Sequence, residues 1–306
     1  MAAQSRVRIA VPFRVPFYAP FYATVELGAY ARYGVDVTME IGGSGKAVVE
    51  ALLAGAADVA WGGPARVMHD MDADPESPLR CFCSVVKRDP FLLVGRDQHP
   101  EFRLQDLPAF TLGSVSEVPT PWLCLQDDLR RLGIDPDKVR RIPDRTMQEN
   151  AAAVASGELD VAQLFEPHAA LLEGRGAGAV WAAAADRGDT AYTSFIATAR
   201  HIDERRESFT AMCRAMADTL SWIAAEGPKS LTDAVQGHYP DIERAILETA
   251  LTRYFKLGIW SASIHISRES FDRLGRALLS AGSVKALPSY EACVDGTLAE
   301  DALAGR

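Results

Sequence analysis

Three short stretches of this chain carry residues that could do chemistry. "FRVPFY" (13–18) follows an apolar run and sets a single arginine, Arg14, among Phe13, Phe17 and Tyr18. "GGSGK" (42–46) precedes an alanine-rich helical run and offers Gly43, Ser44 and Gly45. Arginine presents a planar fork of donors matched to carboxylate, sulfonate or phosphate. Backbone N–H groups at the start of a helix, backed by the helix dipole, suit the same anions. Both features also have bland readings. Arg14 could be a surface residue, and the glycines could simply relax a strand-to-helix turn, because the full phosphate-loop spacing is absent and alanine follows Lys46. In the third stretch, "FEP" (165–167), Pro167 bars a regular ladder and starts a helix well, which holds Glu166 at an elbow. That carboxylate either holds a ligand amine or hydroxyl, or caps the following helix and pairs with a hinge residue.

The elements that would position these residues come in a repeat. "LAGAADVAWGGPA" (53–65) and "ASGELDVAQLFEPHAALLEG" (155–174) share a glycine, two residues and then Asp-Val-Ala. Upstream, Gly34-Val35-Asp36 follows a helix-like run and Gly133-Ile134-Asp135 follows another. Each is succeeded by a strand ("VDVTMEI", "KVRRIP"), a helix ("KAVVEALLA", "MQENAAAVAS"), a glycine turn and the Asp-Val-Ala strand. Gly34 to Gly55 is 21 positions and Gly133 to Gly157 is 24. With the leading strands "VRIAVPF" (7–13) and "FTLGSV" (110–115), the chain reads βαβαβ twice. Right-handed crossovers then give two similar α/β lobes, each with a parallel sheet.

"CFCSVVKRDPFLLVGRD" (81–97) and "AYTSFIATAR" (191–200) read as two strands crossing between lobes. Lobe 1 is therefore expected over 1–90 and 195–306, lobe 2 over 91–194, with a ligand cleft between them. Past 200 the pattern is helical, with Gly227 and Gly282 as stops, and these helices are expected to pack on the first lobe. In open parallel sheets, ligands bind at the carboxyl ends of strands. That rule nominates Phe13, Arg14, Phe17 and Tyr18; Gly42, Gly43, Ser44 and Gly45; and Trp61, Gly62 and Gly63 in the first lobe. In the second it nominates Ser114, Ser116, Glu117, Thr120, Phe165 and Glu166, with Tyr192 and Thr193 beside the returning strand. The aromatic members, taken together, favour an organic ligand, although any one of them could be core. His168 reads as structural and His69 as a surface residue on a helix leaving the cleft.

Composition removes other classes. At 306 residues the chain exceeds the roughly 100–150 of a typical single domain, which fits two lobes. Its 48% hydrophobic and 24% charged residues are those of an ordinary globular protein. The net charge of −9, without any basic run, argues against nucleic acid. No apolar run approaches the roughly 18 residues of a membrane span, and "MAAQSRVRIAVPF" lacks a signal-like apolar segment. As written the chain is expected in the cytoplasm; if a leader has been removed, it belongs in the periplasm. The five cysteines form no disulfide-like framework; Cys81 and Cys83, two apart in a strand, should share a face as buried apolar side chains. No metal site or cofactor is expected.

The order "FYAPFYATVELGAYARYGVDVTM", "GGSGKAVVEALLAGAADVAWG", "VVKRDPFLLVGRD", "LRRLGID" and "SGELDVAQLFEPHAALLEGRG" resembles the type II periplasmic binding proteins over nearly the whole chain. Within them it is most similar to the branch that binds aliphatic sulfonates, nitrate and thiamine pyrimidine precursors. The resemblance implies a solute-binding protein that captures a small organic ligand by hinge closure, as a monomer that serves an ABC-type permease; with the anion-suited residues above, that ligand is expected to be a sulfonate, a carboxylate or a pyrimidine-like molecule. The same branch contains leaderless enzymes, so a cytoplasmic pyrimidine-synthase-like, desulfinase-like or decarboxylase activity is the alternative. The pyridoxal-phosphate-dependent synthase would require a lysine and a histidine shortly after the third strand, where this chain reads "WGGPARVMHD", with Arg66 and no lysine. The desulfinase would require a cysteine after the first strand, and "FRVPFY" has none.

Overall fold

The structure, a computed structural model, describes residues 5–304. Among the described residues there are ten strands, β1 (Ser5–Val11), β2 (Val35–Ile41), β3 (Val59–Gly62), β4 (Leu79–Val86), β5 (Leu92–Gly95), β6 (Thr111–Val115), β7 (Arg140–Arg145), β8 (Val161–Leu164), β9 (Ala179–Ala183) and β10 (Thr193–Thr198). They form two sheets of five, ordered β2-β1-β3-β10-β4 and β7-β6-β8-β5-β9. The two orders correspond strand for strand. In each sheet the first three strands are parallel, as the repeat requires, while the fourth, β10 or β5, runs antiparallel to both of its neighbours. The sheets are therefore mixed, because the fourth strand of each is supplied by a crossing segment that enters from the other lobe and runs the opposite way.

The repeated Asp-Val-Ala now has a physical reason. Asp58 Oδ2 accepts the Arg8 N–H of β1 at 2.8 Å, and Asp160 Oδ2 accepts the Thr111 N–H of β6 at 2.7 Å. Asp58 thus pins the amino end of β3 to β1, and Asp160 that of β8 to β6. The glycine before each ends a helix in the left-handed region, with φ +70° at Gly55 and +82° at Gly157. All of this lies at the strand ends opposite the cleft. Asp58 goes further: it is 5% exposed and also takes the side chains of Arg8 and Arg205. Burial alone would raise its pKa, but the two arginines outweigh burial and hold the carboxyl below its ordinary range.

Two expectations are revised. All five cysteines are buried and unpaired, but Cys81 and Cys83 lie in different apolar clusters. A β-bulge separates them: Ser194 pairs with Ser84 and Ile196 with Cys81, so three steps on β4 oppose two on β10, and Cys83 takes φ +135°. The C-terminal helices also do more than cover lobe 1. Helix 206–235, interrupted at Gly227, does buttress the first sheet. Helix 244–257, however, also packs on helix 168–174, and helix 268–280 packs on both helix 64–73 and helix 120–131. These two helices straddle the lobes.

Candidate functional site

A cavity of about 220 Å³ opens where the carboxyl ends of the parallel strands of the two sheets face each other. Three helices begin there: Gly45–Leu53 after β2, Pro64–Ala73 after β3 and Thr120–Arg131 after β6. Each brings the positive end of its dipole. Ser44 is the N-cap of the first, its Oγ accepting from Ala47 N at 3.1 Å; the hydroxyl proton stays available for a ligand. The start of the second helix can approach closely because Gly62 and Gly63 lack side chains. A Cβ at Gly63 would meet the Tyr192 carbonyl at 3.0 Å, and one at Gly62 would meet Ile196 at 2.8 Å.

The walls are aromatic. Phe13 stacks on Tyr18 with ring centroids 5.8 Å apart. Phe17 meets Phe165 of the second lobe edge-on at 5.4 Å, and Phe165 meets Phe91 at 5.2 Å, so the cavity is closed across the lobes by rings. Trp260 Nε1 donates to the Phe17 carbonyl at 3.0 Å and fixes this loop from behind. Burial pushes the Tyr18 hydroxyl pKa upward, which keeps it a neutral donor beside Thr193.

Twelve residues nominated from the sequence line this cavity: Phe13, Phe17, Tyr18, Ser44, Gly45, Gly62, Gly63, Glu117, Thr120, Phe165, Tyr192 and Thr193. Seven others are placed elsewhere, among them Gly42, whose N–H donates to the Val11 carbonyl at 2.7 Å. β1 ends at Val11, so the following residues alternate sides: Phe13 enters the cavity while Arg14 is exposed, turned toward Tyr22. Trp61 points to the covered face of its sheet and stacks on Phe21 at 4.2 Å, with no exposure. Gly43, at φ +78°, makes the turn that presents Ser44. Ser114 is buried in β6, where its carbonyl accepts Asn150 Nδ2 at 3.1 Å. Ser116 is exposed and donates its N–H to the Arg145 carbonyl at 3.0 Å. Glu166 turns away from the cleft into a wholly buried position, where it accepts the Ala170 N–H at 2.9 Å and pairs with Arg253. It caps the following helix, as in its second reading, but its ion-pair partner lies on helix 244–257 and not in the hinge. Glu117 is at the cavity, but Oε1 is already engaged by the Met147 N–H at 2.9 Å.

The cavity also holds residues that were passed over. Lys46, considered only for a phosphate loop, lines it, and so do Arg66 and His69. Arg66 is the third residue of a helix that starts at Pro64, so a helix beginning at a strand's carboxyl end puts it within reach of the cleft. His69, three residues on, falls on the same face. Among the described residues the half-buried Arg66 guanidinium forms no ion pair or hydrogen bond. His69 Nε2 lies 2.7 Å from Ser283 Oγ, and burial, followed by the nearby Arg66 charge, holds its pKa below the ordinary histidine value. The site therefore combines two cations, three helix starts and an aromatic wall. Among the described residues no cluster of His, Cys, Asp and Glu could hold a metal ion, and no helix is long and apolar enough to cross a membrane.

Two mixed sheets exchanging crossing strands, with a cavity at their facing strand tips, constitute the periplasmic-binding-protein fold. The chain belongs to the NMT1/THI5-like family, whose model matches residues 16–229. It is 24% identical over 275 residues to "Putative binding protein YtlA" of Bacillus subtilis (strain 168), covering 89% of this chain and 82% of that one. Among solved structures, the periplasmic aliphatic sulphonate binding protein SsuA from Escherichia coli superposes with a TM-score of 0.76 at 13% identity, over 94% of this chain and 97% of its own. The periplasmic nitrate-binding protein NrtA from Synechocystis PCC 6803 gives 0.71 at 13%, over 99% and 89%. The desulfurization enzyme DSZB gives 0.70 at 13%, over 99% of each chain. At these identities the likeness is one of fold.

Proposed function

We propose that this chain is a solute-binding protein that closes on a small organic anion and delivers it to an ABC-type permease. The reading is supported above all by Arg66: a half-buried guanidinium that, among the described residues, forms no ion pair or hydrogen bond and has only Asp70 one turn away as a nearby acid, at the start of a helix, inside a cavity walled by aromatic rings. An unpaired cation held out of bulk water is stabilised by a ligand anion, and its planar fork matches a sulfonate or carboxylate. The three helix starts add to the same sign of potential, and Lys46 adds less, since its exposed ammonium pairs with Glu50 at 3.6 Å. The cavity of about 220 Å³ is smaller than the roughly 300–1,000 Å³ of drug-sized sites, which favours a compact ligand. Phe13, Phe17, Tyr18, Phe165 and Tyr192 take its apolar body, while Ser44, Gly45, Gly62, Gly63, Glu117 and Thr193 take its polar edge. Of the described residues, those of 1–90 with 195–306 are one moving body and 91–194 the other, with the contacts of helices 244–257 and 268–280 on the second lobe rearranging as the cleft moves, and the ligand favours closure by binding the closed form better. The relatives named as periplasmic binding proteins favour an extracytoplasmic place of action.

The test is a calorimetric and thermal-shift comparison of methanesulfonate, benzenesulfonate and benzoate with amines of matching size. Anions should bind saturably, and at about 100 times the dissociation constant the ligand should add roughly 2.7 kcal/mol to stability. Stabilisation by amines alone would overturn the anion assignment.

A further inference from the structure

A second cavity, larger than the cleft at about 480 Å³, lies on the flank of the second sheet. It is bounded by β5, β9 and helix 120–131 on one side and by Arg273 and Ala277 of helix 268–280 on the other. Phe91, Leu93, Phe102 and Leu125 give it apolar walls, and its volume falls within the roughly 300–1,000 Å³ of small-molecule sites.

The charged groups of this wall are paired within the protein. Asp127 binds Arg131 at 2.6 Å, and Arg187 binds Asp128 at 2.6 Å and the buried Asp89 at 2.5 Å. Only Asp186, on the exposed rim, lacks an ion pair among the described residues. An ionic occupant would have to compete with these pairs, so the interior favours no net charge. One polar group is unsatisfied. Gln163 lines the cavity and is 3% exposed; its Nε2 donates to the Pro121 carbonyl at 3.1 Å, but its Oε1 has no hydrogen-bond partner. A buried amide oxygen without a donor is costly, and a ligand N–H or O–H would remove that cost.

We infer that this cavity is a second ligand site, distinct from the cleft, for a small uncharged and mainly apolar molecule carrying one hydrogen-bond donor, which Gln163 Oε1 accepts. The donor selects among apolar molecules, because an analogue without it leaves the oxygen unpaired.

The experiment is a fluorine-NMR titration of the full chain with 4-fluorophenol and with 4-fluorotoluene, which differ in the donor, combined with amide shift mapping. 4-Fluorophenol should bind saturably, about tenfold more tightly than 4-fluorotoluene, and should shift amides of β5, β9 and helix 120–131. Gln163→Met should erase that preference, whereas Arg66→Gln in the cleft should leave it unchanged. Absence of saturable binding, equal affinity for the two probes, or shifts centred on Phe13, Ser44 and Gly63 would overturn the assignment. The mapping uses the unaltered chain, so the outcome stands even where Gln163→Met fails to fold.

Discussion

The two lobes use one plan at one end of their strands and two plans at the other. At the amino ends, Asp58 and Asp160 bind the backbone of the first strand of their sheets in the same way. At the carboxyl ends the match dissolves. After Asp-Val-Ala, the first lobe reads Trp61-Gly62-Gly63-Pro64 and the second Gln163-Leu164-Phe165-Glu166-Pro167. Two glycines let a helix start and the cation Arg66 come close to the returning strand, while the second lobe answers with the ring of Phe165 and sends Glu166 outward to Arg253. Groups that fix strand order are bound by the geometry of the sheet and recur. Groups at the tips are free to differ: lobe 1 supplies the cations together with the rings of Phe13, Phe17 and Tyr18, and lobe 2 closes the wall with Phe91 and Phe165.

The amino-end equivalence breaks most visibly in energy. Asp58 is buried and serves a backbone amide and two arginines, so Asp58→Ala should cost about 3 kcal/mol in denaturant unfolding, by leaving both cations and an amide without their partner. The depressed pKa of Asp58 adds a direction: its contribution is present above the ordinary carboxylate range and is lost as pH falls through the lower folded value. Asp58→Ala should therefore be less acid-sensitive than the parent. A cost below that of ordinary surface substitutions would show that the aspartate is incidental.

The carboxyl-end difference is sharpened by a pair of arginines. Arg66→Gln should weaken anion binding by about 1.5–3 kcal/mol, roughly ten- to a hundredfold, with the unfolding midpoint of the free protein little changed. Arg14→Gln, which alters a residue outside the cavity, should leave affinity within about twofold, a few tenths of a kcal/mol. Calorimetric titration of both variants with benzenesulfonate distinguishes the two, and the reverse ranking would return the anion site to Arg14.

The contrast between Arg14 and Arg66 also shows what can be read without coordinates. The repeat was legible because glycine, aspartate and the strand between them act over a few residues, where local geometry decides. The doubled lobe and its crossing strands followed from it. Which of two adjacent loop residues faces a cavity was not legible: it depends on β1 ending at Val11, and a slip of one residue exchanges Phe13 for Arg14. Glu166 was legible as a cap, but its partner Arg253 is 87 positions away on a helix whose pattern says only that it is amphipathic. For the same reason helices 244–257 and 268–280 could not be assigned to both lobes. The bulge at Cys83 leaves no mark in composition and inverts the face of one cysteine.

A smaller effect tests the lobe equivalence from the other side. Asp160 is exposed and bonds one amide, so Asp160→Ala should cost about 1 kcal/mol, near that of losing a helix cap. If it instead matched Asp58→Ala in the same denaturant series, the shared backbone contact, and not the added arginines, would be the larger part of both.

The smallest expected effect separates stability from binding at the tip of lobe 1. His69 is faced by Arg66, Asp70 and Asp72 and by the Ser283 hydroxyl, and its folded pKa lies below the value it regains on unfolding. The unfolded chain therefore binds more protons between the two values, so the stability that His69 contributes is complete above about pH 6.5 and declines as pH falls below it. Protonation in the folded state has the opposite effect on the ligand, since it adds a positive charge beside Arg66 in an anion site. Comparing the parent with His69→Gln between neutral and mildly acidic pH should show the parent losing more thermal stability while gaining more affinity for benzenesulfonate. Parallel changes in both quantities would mean that His69 acts on the fold alone and that the cation pair at the helix start is not what the anion senses.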